Sequence, residues 1–195
     1  VSTNSIKHIS GNGPKVALLD FGSKKNIIQN LKDRDCDITI FPYNASYESI
    51  MGVNPKGILL SNGPGDPKDL GEIMGTIKKL IGNLPMFGIC LGHQLLSLAL
   101  GGDTYKMKFG HRGGNHGVYD KDLDRAFITS QNHGYAVKRE SLNKVTHFNL
   151  NDNTVEGIKH KTLPIFSVQF HPEGSPGPTD TGYLFDKFLR LMTLV

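Results

Sequence analysis

The chain has 195 residues, a net charge of +4 and a hydrophobic fraction of 37%. This composition indicates one globular domain with a substantial core and excludes a disordered chain. No apolar run is long enough to cross a bilayer, no signal peptide opens the sequence, and no aromatic–basic motif accompanies the mild positive charge. Neither a membrane nor a nucleic acid is therefore an expected partner.

The cysteine content indicates the redox compartment. Cys36 and Cys90 are the only two cysteines, and they lie far apart in different local contexts. Such a pair makes neither a disulfide scaffold nor a zinc site, and no metal-binding residue is predicted. We therefore expect a reducing, cytoplasmic environment. Because the chain starts at Val1 rather than Met, we also expect it to be part of a longer polypeptide.

The first half of the chain has the pattern of an α/β protein. Residues 1–14 are polar and end in Gly-Asn-Gly-Pro, which predicts a linker from a preceding domain that is absent here. A single domain is predicted over residues 15–195. Its first apolar strands and helices alternate, which indicates a mostly parallel sheet with helices on both faces. Strands are predicted over residues 15–20, 36–41, 57–61 and 85–90, and helices over 24–33, 46–51 and 70–81.

The second half changes in character after Gly102. The predicted strands become shorter and more polar, which indicates an antiparallel extension of the sheet. A buried strand and an amphipathic helix then close the domain. The strands are predicted over residues 104–109, 126–129, 145–150, 155–160 and 163–170, and the helix over 180–192.

One short stretch, residues 85–94, has the pattern of a strand-to-helix elbow. An apolar strand ends at Cys90, and a leucine-rich helix follows. Gly88 and Gly92 stand two positions before and after the cysteine, where a sharp turn brings backbone too close for larger side chains. The turn places the sulfur near the free N–H groups of the helix, which favour a thiolate. We therefore predict a nucleophile, with a buried structural cysteine as the alternative.

A cysteine nucleophile needs a base to take its proton. Among eight histidines, His93 opens the elbow helix and is predicted to point away from the thiol, and His133 is predicted to shape the site from a loop. His171 ends a buried strand, so it should share the sheet edge with Cys90. Glu173, two residues on, can fix the imidazole tautomer. The alternative interpretation of His-Pro-Glu is a plain turn after a strand.

Two further stretches are candidates for the surroundings of this site. Residues 62–67, Asn-Gly-Pro-Gly-Asp-Pro, follow the third strand, and their backbone N–H groups could stabilise an oxyanion. An ordinary tight turn is the alternative. Residues 106–116 are basic, and such a run is most often a solvent-exposed face. A part in docking or folding is also open for it, while nucleic-acid binding is disfavoured.

These motifs resemble a known family. Gly88-Ile-Cys-Leu-Gly-His-Gln94, with His171-Pro-Glu173 downstream, is similar to the class I (triad) glutamine amidotransferases, and the resemblance extends over nearly the whole chain from about residue 15. Residues 106–116 and 173–180 look like the small subunits of carbamoyl phosphate synthetases. The resemblance implies a class I amidotransferase fold with a nucleophile elbow.

The resemblance also implies a role for each site residue. Cys90 would be the nucleophile, His171 the acid and base, and Glu173 the residue that orients it. Leu91 and a glycine of the 62–67 turn would supply the oxyanion N–H groups. In the family, the absent amino-terminal domain adds a further contact to glutamine. The pocket for L-glutamine would be formed by Gly63, Gly65, Leu91, Gln94, Asn132, Gly134 and Tyr135.

The implied activity is the hydrolysis of glutamine to glutamate and ammonia. The ammonia would pass to a large subunit that makes carbamoyl phosphate, and ATP and magnesium would bind that subunit, since this chain carries no phosphate-binding loop. No cofactor is expected here. Three alternatives stay open: a glutaminase that serves another synthetase, a hydrolase that acts on a different amide, and a non-catalytic regulatory subunit. The last is disfavoured because Cys90, His171 and Glu173 are all present.

Overall fold

A computed structural model describes residues 2–82, 84–140, 144–174, 178 and 180–194. Its strands are β1 (Lys7–Ile9), β2 (Lys15–Asp20), β3 (Asp37–Pro42), β4 (Gly57–Leu60), β5 (Met86–Ile89), β6 (Thr104–Asp120), β7 (Arg125–Val137), β8 (Lys144–Asn149), β9 (Val155–Lys159) and β10 (Ile165–Val168). Its helices are α1 (Lys25–Asp33), α2 (Tyr47–Met51), α3 (Gly71–Leu80), α4 (Leu91–Ala99) and α5 (Tyr183–Thr193), with a 3-10 turn at Pro67–Asp69.

The strands form one ten-stranded sheet in the order β1-β3-β2-β4-β5-β10-β9-β7-β6-β8. The five strands from β3 to β10 in this order pair in parallel. Successive residues of β2 point to opposite faces: Val16 and Leu18 join a cluster with α1 and α5, whereas Ala17 and Leu19 join one with α2, α3 and α4. The chain is therefore an α/β protein with helices on both faces of its sheet.

The remaining strands form the antiparallel part of the sheet. β9 pairs antiparallel with β10, and β6, β7 and β8 continue outward. β6 and β7 are much longer than the predicted strands over 104–109 and 126–129, and register shifts interrupt their pairing. His133 consequently lies in β7, and the prediction of a loop there is wrong. The strand is polar on several buried positions, so it lacks the apolar alternation by which strands are recognised.

The amino-terminal segment is attached to the sheet. β1 pairs antiparallel with β3 at the sheet edge, and the Thr3 N–H donates to the Asp20 carboxylate at 2.7 Å. Three residues with largely exposed side chains form this strand through backbone hydrogen bonds, which a hydropathy pattern does not register. The prediction of a linker over residues 1–14 did not include this strand. That the segment connects to a further domain stays a prediction.

The parallel strands end at one edge of the sheet, where ligand sites of such folds lie. The ends of β2, β4 and β5 lie side by side there, and the chain after β10 adds His171 to the same edge. Within the described residues, no helix is both long and apolar enough to traverse a lipid bilayer.

Candidate active site

The turn between β5 and α4 presents Cys90. The Cys90 backbone has φ 53° and ψ −104°, a conformation that non-glycine residues rarely adopt and that proteins retain mainly at functional sites. Its N–H still donates to the Val168 carbonyl at 2.9 Å, so the turn begins directly at the strand end. A Cβ atom at position 92 would lie 2.1 Å from the Leu60 carbonyl oxygen, and one at position 88 would lie 2.7 Å from the Gly92 carbonyl oxygen. Glycine is required at both positions.

The side chains of Cys90, His171 and Glu173 form one connected group. The His171 ring donates from Nδ1 to Glu173 Oε1 at 2.7 Å, and His171 lines the same cavity as Cys90, whose thiol helps to raise the pKa of the imidazole. The His171 backbone is fixed by donation of its N–H to the Ser130 carbonyl at 2.9 Å. A thiol, an imidazole and a carboxylate in this order can deprotonate the thiol for attack on a carbonyl carbon.

The surroundings of His171 favour its charged form. Burial alone would lower the pKa of His171, but its hydrogen bonds to Cys90 and Glu173 and their charges raise the pKa to about 9. The imidazole can therefore hold the proton of the thiol at neutral pH. A protonated ring that keeps one N–H on the carboxylate has its other N–H available for a leaving group.

Glu173 has two further contacts besides the one to His171. Its carboxylate is fully buried, and the Lys24 ammonium lies 3.8 Å from Oε1. The Asn26 side-chain amide donates to the Glu173 backbone carbonyl. Among the described residues, Oε2 has no hydrogen-bond partner. The carboxylate is thus oriented by His171 and by the start of α1.

A cavity of about 500 Å³ opens over the sulfur, a size that suits a small metabolite. Cys90 and His171 line it, and Glu173 lies behind His171. Leu91 is the exception among the predicted pocket residues: its side chain is 2% exposed and packs in the core, so it can contribute only through its backbone. The structure brings six predicted pocket residues into the cavity wall: Gly63, Gly65, Gln94, Asn132, Gly134 and Tyr135.

Several residues around the cavity were not expected there. Gln169 is buried, its Nε2 lies 3.7 Å from Cys90 Sγ, and its Oε1 accepts from Gln94 Nε2 at 3.0 Å. Its position two residues before His171 on an extended segment is a signal that could have identified it, since alternate residues share a face. Lys24, Lys106 and Arg112 also line the cavity without having been expected there, whereas Asn62, Pro64 and His133 line it as residues already predicted to lie near the site. The basic run is therefore only partly a solvent face.

His93 is excluded as the base by its position. It is fully buried, does not line the cavity, and its Nδ1 lies 2.7 Å from the Ser167 hydroxyl. Burial, and to a lesser extent the neighbouring histidines, lower the pKa of His93 to about 3. A neutral ring in the core is a packing element rather than a proton carrier.

Comparisons with known proteins agree with this geometry. A family model described as glutamine amidotransferase class-I matches residues 17–191. The chain is 65% identical over 195 residues to the carbamoyl phosphate synthase small chain of Clostridium acetobutylicum and 58% identical over 191 residues to that of Clostridium perfringens. These matches cover 98% and 97% of this chain but 56% and 55% of the relatives, so the chain spans about half the length of the curated relatives it matches.

Solved structures show the same fold. A protein described as a putative GMP synthase component, from Thermoplasma acidophilum, superposes with a TM-score of 0.83 at 23% identity, covering 94% of this chain and 96% of that one. The PurLQS structure from Thermotoga maritima gives a TM-score of 0.73 at 16% identity, with 91% and 98% covered. With the family model covering nearly all of the sequence, the chain belongs to the class-I glutamine amidotransferase family.

Proposed function

We propose that this chain hydrolyses the side-chain amide of L-glutamine through a Cys90–His171–Glu173 triad. The observation that carries the proposal is the His171 ring, which is hydrogen-bonded to the buried Glu173 carboxylate and lines the same cavity as the Cys90 thiol on its strained turn. Because the thiol, base and orienting group are all assembled, a non-catalytic regulatory role is disfavoured.

The first step is attack by sulfur. The Cys90 thiol gives its proton to His171, and the sulfur bonds to the amide carbon of glutamine. The carbonyl oxygen becomes an oxyanion, and the N–H groups that would stabilise it are those of Leu91 and of a glycine in the Gly63–Gly65 turn. The turn lines the cavity beside Cys90, and Leu91 is the first residue of α4.

The second half of the reaction releases both products. His171 returns its proton to the amide nitrogen, the C–N bond breaks, and ammonia leaves a γ-glutamyl thioester on Cys90. His171 then takes a proton from a water molecule that attacks the thioester carbon. Glutamate departs when the C–S bond breaks and the sulfur regains a proton from His171. Glu173 stabilises the imidazolium in both halves of the cycle.

The cavity wall suits an amino-acid substrate. Gln94 uses its Nε2 to donate to the Tyr135 carbonyl at 2.9 Å and to Gln169 at 3.0 Å, so its Oε1 can accept from the α-ammonium of glutamine. Lys106 and Arg112 line the same cavity and favour a carboxylate. Asn132, Gly134, Gly63 and Gly65 complete the proposed contacts, and the absent amino-terminal domain would add one more.

We further propose that the ammonia serves the large subunit of carbamoyl phosphate synthetase. The support is the 65% identity to a carbamoyl phosphate synthase small chain, although the chain spans only about half of that relative. ATP and magnesium would bind the large subunit. Two buried, unpaired cysteines fit the reducing cytoplasm.

The test has two stages. Glutamate release from L-glutamine is measured for the purified protein and for Cys90→Ser, first alone and then with added synthetase subunits. Cys90-dependent release that only the carbamoyl phosphate synthetase large subunit stimulates supports the whole proposal. Stimulation by a GMP synthetase subunit instead would assign the glutaminase to another synthetase. Release that persists in Cys90→Ser contradicts the triad.

A further inference from the structure

A second group of potential ligands lies beneath the cavity wall, on three antiparallel strands. His111 of β6, His133 of β7 and Glu156 of β9 are all buried, and their ligand atoms lie within 4.8 Å of one another. The three residues are 22 or more positions apart in sequence. No spacing motif links them, and only the pairing of the strands brings them together.

The two distances from His111 to the other ligand atoms match a tetrahedral metal site. His111 Nδ1 lies 3.3 Å from His133 Nε2 and 3.3 Å from Glu156 Oε1. Metal–ligand bonds of about 2.0–2.1 Å arranged as a tetrahedron around zinc separate the ligand atoms by about 3.3 Å. Gln131 Oε1 lies 3.1 Å from His111 Nδ1 and 2.8 Å from His133 Nε2, so it can occupy a fourth corner.

The outer hydrogen bonds of both imidazoles also fit metal ligands. Metal-binding histidines donate their other ring N–H to a carboxylate or a backbone carbonyl, which fixes the tautomer. His111 Nε2 lies 2.7 Å from the Asp152 carboxylate. His133 Nδ1 lies 2.7 Å from the Tyr135 carbonyl oxygen. Each ring therefore turns its remaining nitrogen towards the centre of the group.

The interior of the group holds more lone pairs than hydrogens. His133 must carry its hydrogen on Nδ1 to reach the Tyr135 carbonyl, so its Nε2 presents a lone pair. Gln131 donates from Nε2 to the Thr129 hydroxyl at 3.2 Å, so its Oε1 is the atom that faces inward. The Glu156 side chain is fully buried; its Oε1 accepts from Asn149 Nδ2 at 3.2 Å, whereas Oε2 has no hydrogen-bond partner in the part of the chain that the structure describes. A cation would satisfy these acceptors.

We propose that His111 Nδ1, His133 Nε2 and the Glu156 carboxylate bind one Zn²⁺ ion, with Gln131 Oε1 as the fourth ligand. The ion would join β6, β7 and β9 at one point. β7 also carries Asn132 and Gly134 into the cavity wall, so the ion would stiffen the surface against which a substrate rests. The proposal stands on these contacts and does not depend on the proposed glutaminase activity.

A protonated His111 is the competing explanation of the same contacts. Hydrogen bonding to Glu156 raises the pKa of His111 against the opposing effect of burial, Asp152 adds to the rise, and the resulting pKa is about 9. A doubly protonated ring could donate to Asp152 on one side and to Glu156 on the other. In that case the group is complete without a metal, and Zn²⁺ has no specific site there.

The experiment separates the two explanations with zinc itself. All variants carry Cys90→Ser, because the Cys90–His171 pair could otherwise bind zinc. The protein is stripped with a chelator, dialysed against ZnCl₂ and analysed for bound zinc, with and without Glu156→Gln and His111→Asn. His8→Ala is the matched control, since this histidine is exposed and far along the chain from the group.

We expect one equivalent of zinc, affinity reduced about 100-fold or more by either ligand substitution, and no change in the control. Binding that is substoichiometric, or unaffected by Glu156→Gln, overturns the proposal. Cobalt absorption is a second test that uses the protein with its proposed ligands unchanged, so it does not depend on variants that could misfold. Intense visible bands of a four-coordinate Co²⁺ are expected, and weak six-coordinate bands or none contradict the site.

Discussion

Two histidine–carboxylate groups border the same cavity, and they differ in what their imidazoles face. His171 is held by Glu173 on one side and meets the Cys90 thiol on the other, where the cavity opens. His111 and His133 instead turn their free nitrogens towards each other and towards Glu156, away from solvent. Imidazole and carboxylate side chains can thus serve proton transfer where the imidazole faces a thiol and a substrate cavity, and ion binding where the imidazole nitrogens face other ligand atoms.

The electrostatics distinguish individual imidazoles rather than the two groups, because the pKa of His111 is also raised to about 9. The pKa of His171 is raised to about 9 although burial opposes it, because a thiol and a carboxylate contact the ring. The pKa of His133 is lowered to about 3, mainly by burial and only partly offset by its bond to the Tyr135 carbonyl. The environment, rather than the residue type, decides which imidazole carries charge at neutral pH.

Removal of the sulfur should have the largest effect. In Cys90→Ala we expect glutamine hydrolysis to fall by about 10⁴-fold or more, because Cys90 supplies the one thiol among the described residues that line the cavity. Glutamate release measured by a coupled assay checks this. Cys36→Ala is the matched control: Cys36 is buried in the core, burial raises its pKa to about 11, and its loss should lower stability but not turnover. Equal losses in both variants would refute the assignment.

The two carboxylates allow a matched pair of substitutions. Glu173→Gln should lower kcat by about 100-fold or more, because the amide neither stabilises the imidazolium nor enforces its tautomer. Glu156→Gln should abolish zinc binding and change kcat far less. Steady-state kinetics on both variants, and metal analysis of the same substitutions in the Cys90→Ser protein, check the pair. Similar kcat values for the two variants would contradict the assignment of a catalytic role to Glu173 and a metal-binding role to Glu156.

The proposed triad also depends on the backbone of the turn that carries Cys90. Gly92→Ala places a Cβ 2.1 Å from the Leu60 carbonyl, which cannot move without disturbing β4, so we expect a loss of about 3 kcal/mol in the free energy of unfolding. Gly75→Ala in α3 meets open space and should gain about 0.5–1 kcal/mol. Urea unfolding of both variants checks the contrast, and equal effects would argue against the tight elbow.

The smallest effect separates, by its pH dependence, the buried histidines whose pKa is lowered from those whose pKa is raised. The pKa of His93 is lowered from 6.5 to about 3, so its contribution to stability is present above pH 6.5 and is lost as the pH falls towards 3. From pH 6.5 to 5 this amounts to about 2 kcal/mol. The raised pKa of His171 acts in the opposite window: its contribution is complete below pH 6.5 and is lost as the pH rises through about 9.

Urea unfolding between pH 5 and 9 measures how the free energy of unfolding changes on the acid limb, below pH 6.5, and on the alkaline limb, above it. His93→Asn should flatten the acid limb, since the buried ring that must be protonated on unfolding is gone. The alkaline limb should be unchanged by that substitution. An acid limb of the same slope in His93→Asn would show that other groups govern it.

The parts that could be predicted from the sequence are those encoded by neighbouring residues. The parallel strands follow from apolar runs between helices, and the elbow follows from glycines at two positions on either side of Cys90. The contact between His171 and Glu173 is also local, since they are two positions apart along one short segment. The catalytic roles of these three residues stay proposals that the activity assays above address.

The parts that could not be predicted arise from long-range pairing. β6 and β7 carry polar side chains at buried positions and break their register, so neither their length nor the placement of His133 follows from hydropathy. Gln169 reaches the sulfur, and Lys106 reaches the cavity, only after the strands have paired. For the same reason, no linear motif contains the three proposed zinc ligands, His111, His133 and Glu156.

The covalent intermediate tests the central claim most directly. The protein is mixed with L-glutamine, quenched in acid within the first turnovers, digested and analysed by mass spectrometry. The triad predicts a γ-glutamyl group on the peptide that contains Cys90, and its absence from the same peptide in Cys90→Ala. Steady release of glutamate with no adduct on Cys90, or with an adduct on another residue, would contradict the account.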